Sequence, residues 1–233
     1  MPTPHVKARR YNATGRREGA ALRRERIVVA ARQRFLTDGY AATTVASVAA
    51  DAQVSVDTIF KTFGGKVGLL EAAWWRALEG QGERPAEERA DSAAQGGDAD
   101  VMLATWAALS AEVGAETGRL FVLIRSLAVV DPAVSDLYDR IEQSRTERMT
   151  HNAQLLAGTG ALRPGLSTAQ ARDIMLAVSG HLPEALLERA GWSTRDYVDL
   201  VNRLLQSALL DATPGPRPTT GSPPKAAPAR RRT

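Results

Sequence analysis

Between Thr44 and Lys66 the chain sets hydroxyls, small side chains and lysines at a spacing that suits the reading of a polyanion. Thr43-Thr44 offers a hydroxyl cap for a short helix over residues 45–52. Gln53-Val54 makes a turn, and Ser55 caps a second short helix running to Phe63. Val45, Val48, Ala49, Val54, Ile59 and Phe63 can share one small core, which leaves Val56, Asp57, Thr58, Lys61 and Thr62 on or near the outward face of the second helix. Side chains of that size can approach base edges in a major groove about 12 Å wide, while the first helix braces the second. Thr44 and Ser55 put hydroxyls at helix N-termini, where phosphates bind well, and Lys66 follows at phosphate reach. Short capped helices at this spacing also occur in small helical domains that touch no nucleic acid, so periodicity alone leaves both readings open.

The charge distribution favours the first reading. Residues 1–66 carry twelve Lys and Arg against five Asp and Glu, whereas residues 67–213 carry thirteen against twenty-one. A basic first third on an acidic body suits one surface facing a polyanion and the rest facing away. A basic protein that coats DNA without sequence preference would explain the charge, but not an acidic body with enough apolar residues for a core.

Other chemistries find little material. The 233 residues include no cysteine and three histidines, so disulfides, thiolate metal sites and thiol redox sensing are excluded. His151 and His181 stand thirty residues apart with no second ligand beside either, which argues against a metal site. Neither a phosphate-cradling glycine loop nor a strand–turn–helix nucleophile motif is present, so an enzyme is not expected and no cofactor is implied. The longest apolar run, 120–130, is interrupted by Arg125 and falls well short of the ~20 residues a spanning helix needs. The basic N-terminus lacks the apolar stretch of a secretory signal, so a cytoplasmic protein is expected.

The elements that must position these residues read almost entirely as helix. Residues 1–17 are polar and basic without periodicity, and are expected to form a flexible arm. From Leu22, the residues Ile27, Val28, Ala31, Phe35 and Leu36 mark an amphipathic helix that Asp38-Gly39 stops. After the two short helices, Gly64-Gly65 breaks the chain and a further helix covers 66–78. Residues 80–99 read as a mobile connector, followed by helices at about 100–113, 117–130, 133–157, 168–189 and 194–211. Ser167 or Thr168, and Ser193 or Thr194, offer caps for the last two, and Pro183 should break the first of them. Residues 213–233 hold six prolines and end in three arginines before Thr233, so this tail is expected to be disordered. The expectation is an all-α protein of about nine helices: an arm over 1–17, a three-helix helix-turn-helix domain over 18–66 with its motif at 44–63, a helical domain for ligand binding and dimerisation over 67–212, and the tail.

Residues 24–70, RERIVVAARQRFLTDGYAATTVASVAADAQVSVDTIFKTFGGKVGLL, resemble the DNA-binding domain of the tetracycline-repressor (TetR) family, with a flavour of its actinobacterial members. The resemblance runs without a gap through the Phe-x-x-x-Gly-Tyr end of helix 1, the Thr-Thr start of helix 2 and the Phe-x-x-Lys-x-x-Leu exit. It implies a homodimer on a palindromic operator, probed by a small-molecule effector, with repression as the default outcome. Carried over by position, Thr44 contacts phosphate, Val56, Asp57 and Thr58 face bases with Ser55 at their helix start, and Lys61, Thr62 and Lys66 hold the backbone. Two departures matter. Phe60 stands where the family usually has a tyrosine whose hydroxyl touches phosphate, and Gln53 stands where a glycine is usual in the turn. Asp57 admits two roles: accepting from a cytosine amino group, or favouring the N-terminus of its own helix.

In the body, Trp75, Met102, Trp106, Phe121, Arg125, Met175 and His181 are candidate pocket residues, and each would equally serve as plain core. Arg125, inside an apolar run, is expected to be buried against a carboxylate or an anionic ligand. Ile174, Val178, Leu186, Tyr197, Val201, Leu204, Leu205 and Ala208 recur at helical spacing on the last two helices. They are candidates for the dimer interface that the resemblance implies, or for packing within one chain.

Overall fold

The computed structural model describes residues 8–211. Residues 1–7, and the tail from 212 onward, lie outside them. Nine α-helices and one π-helical turn make up the described chain: α1 (Ala8–Thr37), α2 (Val45–Asp51), α3 (Val56–Phe63), α4 (Lys66–Leu78), α5 (Ala86–Ala94), α6 (Ala99–Ala128), α7 (Pro132–Gly158), α8 (Thr168–Ser179), the π-turn (Glu184–Arg189) and α9 (Thr194–Leu209). Among the described residues the one β-type pairing is an isolated bridge between Leu162 and Leu210. The all-α class is as expected.

Local chemistry accounts for most boundaries. Thr44 and Ser47 form a reciprocal capping box at the start of α2, and Ser55 accepts from the Thr58 amide to start α3. Asp98, Asp131, Ser167 and Ser193 cap α6, α7, α8 and α9 in the same way, and Pro132 stands in the first turn of α7, where a missing N–H costs nothing. Gly39 and Gly64 take the left-handed conformation after α1 and α3. Gln53 does so as well, at φ 54°, and is the one non-glycine among the described residues with positive φ.

Three segments differ from the sequence reading. Residues 8–17 continue α1 rather than forming an arm, since they contain no proline and are rich in the good helix formers Ala and Arg. The supposed connector 80–99 contains α5, whose Ala86 and Ala90 bury one face and whose Glu87 and Glu88 complement the helix N-terminus. The helices read at 100–113 and 117–130 are one rod, α6. Its Gly114 is held in mid-helix because Pro183 occupies the space a Cβ would need, 2.3 Å from the proline Cβ. Pro183 also interrupts what would have been one helix over 168–189: α8 ends at Ser179 and the chain resumes as the π-turn.

Two apolar clusters hold the fold. The first joins Ile27, Phe35, Val48, Ile59, Leu69, Leu70 and Trp74 of α1–α4 to the second half of α6 and the start of α7, through Leu120, Phe121, Ile124, Leu137 and Ile141. The second joins the first half of α6 to α5, the end of α7, α8 and α9, with Met102, Leu103, Trp106, Leu156, Met175, Tyr197 and Val201 fully or nearly buried. The helix-turn-helix thus shares a core with the body instead of hanging from a linker.

Two consequences for stability can be measured by urea unfolding. Gly114→Ala should overpack the α6–Pro183 contact and destabilise the protein by about 1–3 kcal/mol; an unchanged midpoint would show that the π-turn yields freely. Gln53→Gly should relieve the left-handed strain and stabilise by up to about 1 kcal/mol, and a lower midpoint would contradict that.

Candidate nucleic-acid interface and the cavity behind it

The turn between α2 and α3 is closed by the Val54 amide donating to the Ala49 carbonyl at 3.0 Å, which fixes how α3 projects. Val48, Ala49 and Ile59 are buried beneath it, and Val45, Val54 and Phe63 pack partly buried against them. On the outer face, Val56, Asp57, Phe60, Lys61 and Thr62 are exposed, and Thr58 is half-buried with its hydroxyl 2.8 Å from that of Ser55. Phe60 is 51% exposed, its ring edge lying near the Gly65 backbone.

Each polar group of this face has a definite state. The Thr44 hydroxyl accepts from the Ser47 amide at 3.0 Å, which leaves its hydrogen free to donate outward. Lys61 pairs with Asp57 one turn earlier at 2.6 Å, with both side chains well exposed, so the pair adds little to stability and either member can be drawn away by a stronger partner. Of the two roles open to Asp57, the structure adds a third: it neutralises its neighbour. Lys66 lies 4.1 Å from the centre of the Tyr40 ring and 3.5 Å from the Ala41 carbonyl, and partial burial lowers its pKa. Arg34 grips Asp51 through Nε and Nη2 at 2.5 and 2.9 Å, tying the end of α2 to α1. The hydrogen bond from Arg34 holds the Asp51 carboxyl below its ordinary value. This tie is therefore complete above about pH 4 and is lost as the pH falls through the lowered value. Ser47, Tyr40 and Arg34 were missed from the sequence; Ser47 had a visible signal, standing three residues after Thr44.

Behind this face, α4, α5, α6, α7, α8 and α9 line a cavity of about 430 Å³ that opens to the surface, within the usual range for small-molecule sites. Of the sequence candidates, Trp106, Phe121 and Met175 line it. Trp75 does not: one residue on from Trp74 it is turned about 100° round α4, where its indole donates to Glu71 at 3.3 Å, and Trp74 lines the cavity instead. Met102 is sealed in the second core away from the cavity. Arg125 is exposed rather than buried and does not line the cavity; its Nη1 meets the exposed His181 Nε2 at 2.5 Å, and the imidazole lies 5.8 Å from Phe121 between ring centres. An exposed guanidinium needs no internal carboxylate, which is why that expectation fails. Arg145, Arg148, His151 and Asn152 of α7 line the cavity and were not anticipated, because α7 reads as a polar, solvated helix.

The interface candidates also divide. Tyr197, Val201 and Leu205 are buried in the chain's own second core, with the Tyr197 hydroxyl 3.3 Å from Ser110, so they cannot meet a second copy. The apolar stripe of α9 faces α6. Val178 lines the cavity, Ile174, Leu186 and Ala208 are half-buried, and Leu204 is exposed at 41%.

Residues 27–73 match the model of bacterial regulatory proteins of the tetR family. No curated protein matches the chain. Among solved structures, one described as a TetR-family transcriptional regulator from a Rhodococcus species superposes with a TM-score of 0.63 at 22% identity, covering 80% of this chain and 98% of that one. SmeT in complex with triclosan gives 0.65 at 17%, covering 85% and 100%. A transcriptional regulator from Saccharomonospora viridis in complex with choline gives 0.62 at 17%, covering 81% and 97%. The matched segment holds the second half of α1, both helices of the motif and α4 as far as Ala73, and the helical body follows the same fold. Residues 27–73 thus carry the DNA-binding segment of the tetR family of bacterial regulatory proteins, and the helical body shares the fold of the TetR-family regulators it superposes on.

Proposed function

We propose that the protein is a repressor that binds a palindromic operator as a homodimer and leaves it when a small molecule enters the cavity. The observation that carries this reading is the placement of α4. Its first residue, Lys66, follows α3 after two glycines, and its far end, Trp74 and Leu78, lines the cavity. Thirteen helical residues, about 20 Å, therefore connect the Gly64-Gly65 turn after the recognition helix to the cavity. A molecule that prefers a different position of Trp74 displaces α3 by linkage, and repression is relieved in proportion to that preference.

In this reading Thr44, Ser55, Lys61, Thr62 and Lys66 hold phosphates, and Val56, Asp57 and Thr58 meet base edges once Lys61 has turned from Asp57 to the backbone. Residues 18–66 read the DNA, residues 67–212 sense and pair, and the exposed side of α8 and α9 around Leu204 meets the second copy. A paired reader is needed because one such motif spans too few base pairs for useful specificity. The small molecules bound to SmeT and to the Saccharomonospora viridis regulator support an effector site in this body. The protein would act in the cytoplasm, where its operator lies.

Selection of genomic fragments by the purified protein at fixed salt tests this. A palindromic motif should emerge and be lost in the Thr58→Ala, Lys61→Ala double variant; equal binding of all fragments by both proteins would replace the repressor with a DNA-coating protein. On the selected operator, Phe60→Tyr should tighten binding by about tenfold, since it restores a hydroxyl able to reach phosphate. A weaker or unchanged Kd would place residue 60 off the backbone.

A further inference from the structure

The cavity carries an electrostatic preference that its largely apolar lining conceals. Three of its residues are more than nine-tenths buried and hold a polar atom with no partner among the described residues: the indole nitrogens of Trp74 (3% exposed) and Trp106 (7%), and Oδ1 of Asn152 (5%). These atoms have almost no accessible surface, so they lie behind the cavity wall, and Arg145 is the cationic side chain with N–H groups left for a ligand. Arg145 stands beside them at 18% side-chain exposure, its guanidinium 5.0 Å from the centre of the Phe121 ring. Its Nη1 donates to Glu142 at 2.6 Å, and its remaining N–H groups have no partner among the described residues. Arg148, by contrast, has both terminal nitrogens engaged, by Glu87 and Asp91 at 3.1 and 2.7 Å. The two carboxylates of the lining, Glu87 and Glu147, lie on exposed residues or at the rim, and each already has a partner.

We propose that the molecule bound here is an apolar organic acid, whose carboxylate is taken by the free N–H groups of Arg145 and whose hydrocarbon part fills the space along Leu109, Val113 and Met175. This rests on the reading of the cavity as an effector site and names the effector's chemistry. Aromatic walls alone would suit a quaternary ammonium equally well. The cavity decides against it: the face of Phe121 is already covered by the Arg145 guanidinium, and the N–H groups that Arg145 keeps free call for an acceptor.

The test uses one hydrocarbon tail with three heads: 4-phenylbutyrate, 4-phenylbutanol and 4-phenylbutyl-trimethylammonium, titrated into the full chain without DNA and followed by tryptophan fluorescence. The carboxylate should bind at least tenfold more tightly than the other two, and Arg145→Gln should abolish that preference while leaving the alcohol's Kd unchanged. A merely structural role of Arg145 would weaken all three ligands alike. Tighter binding of the ammonium, a preference that survives Arg145→Gln, or no binding of any of the three would overturn the assignment. Carboxylate binding that leaves operator affinity unchanged would instead overturn the repressor switch and leave the ligand class standing.

Discussion

Everything in this molecule turns on α4 having to satisfy two neighbours at once. Leu69, Leu70, Ala73 and Trp74 pack inward against α1 on one side and against α6 and α7 on the other, within a single continuous core. Close-packed interiors do not deform gradually. The recognition helix, joined to α4 through Gly64-Gly65, therefore leads into a helix whose far end is packed in the body, where Trp74 lies 5.8 Å from Phe121 between ring centres.

Polar ties fix the register of that contact without adding much stability. Arg32 of α1 meets Glu116 of α6 through its carboxylate at 2.8 Å and its carbonyl at 3.1 Å, and Arg119 of α6 donates to the Leu36 carbonyl near the end of α1 at 2.8 Å. Arg76 of α4 meets Glu25 of α1 at 2.9 Å, and Arg140 of α7 meets Glu71 of α4 at 3.0 Å. Half-exposed pairs of this kind are worth little each. Their geometric value is larger: they hold α1, α4, α6 and α7 in one arrangement, and a second arrangement must break several together.

The cavity exists because the chain fails to close its own bundle. Pro183 presses on Gly114, the chain between α8 and the π-turn leaves the helical path, and the space between α6, α7 and α8 stays open. The π-turn itself follows from the proline, which supplies no N–H to continue α8. Trp74 and Trp106 line that space without filling it.

By itself the sequence determined what depends on neighbours along the chain. Hydroxyl caps at Thr44, Ser55, Ser167 and Ser193, the left-handed Gly39 and the break at Gly64-Gly65 were legible, because capping and turn geometry involve residues within about four positions of each other. So was the outward face of α3, whose opposite side had to be apolar. Only the tertiary structure decided which of two adjacent tryptophans faces the cavity, that Arg125 lies outside while Arg145 lies within, and that the stripe of α9 packs on α6 rather than on a partner. Periodicity states that a helix has an apolar side; what that side meets depends on residues fifty or more positions away, and nothing local records it.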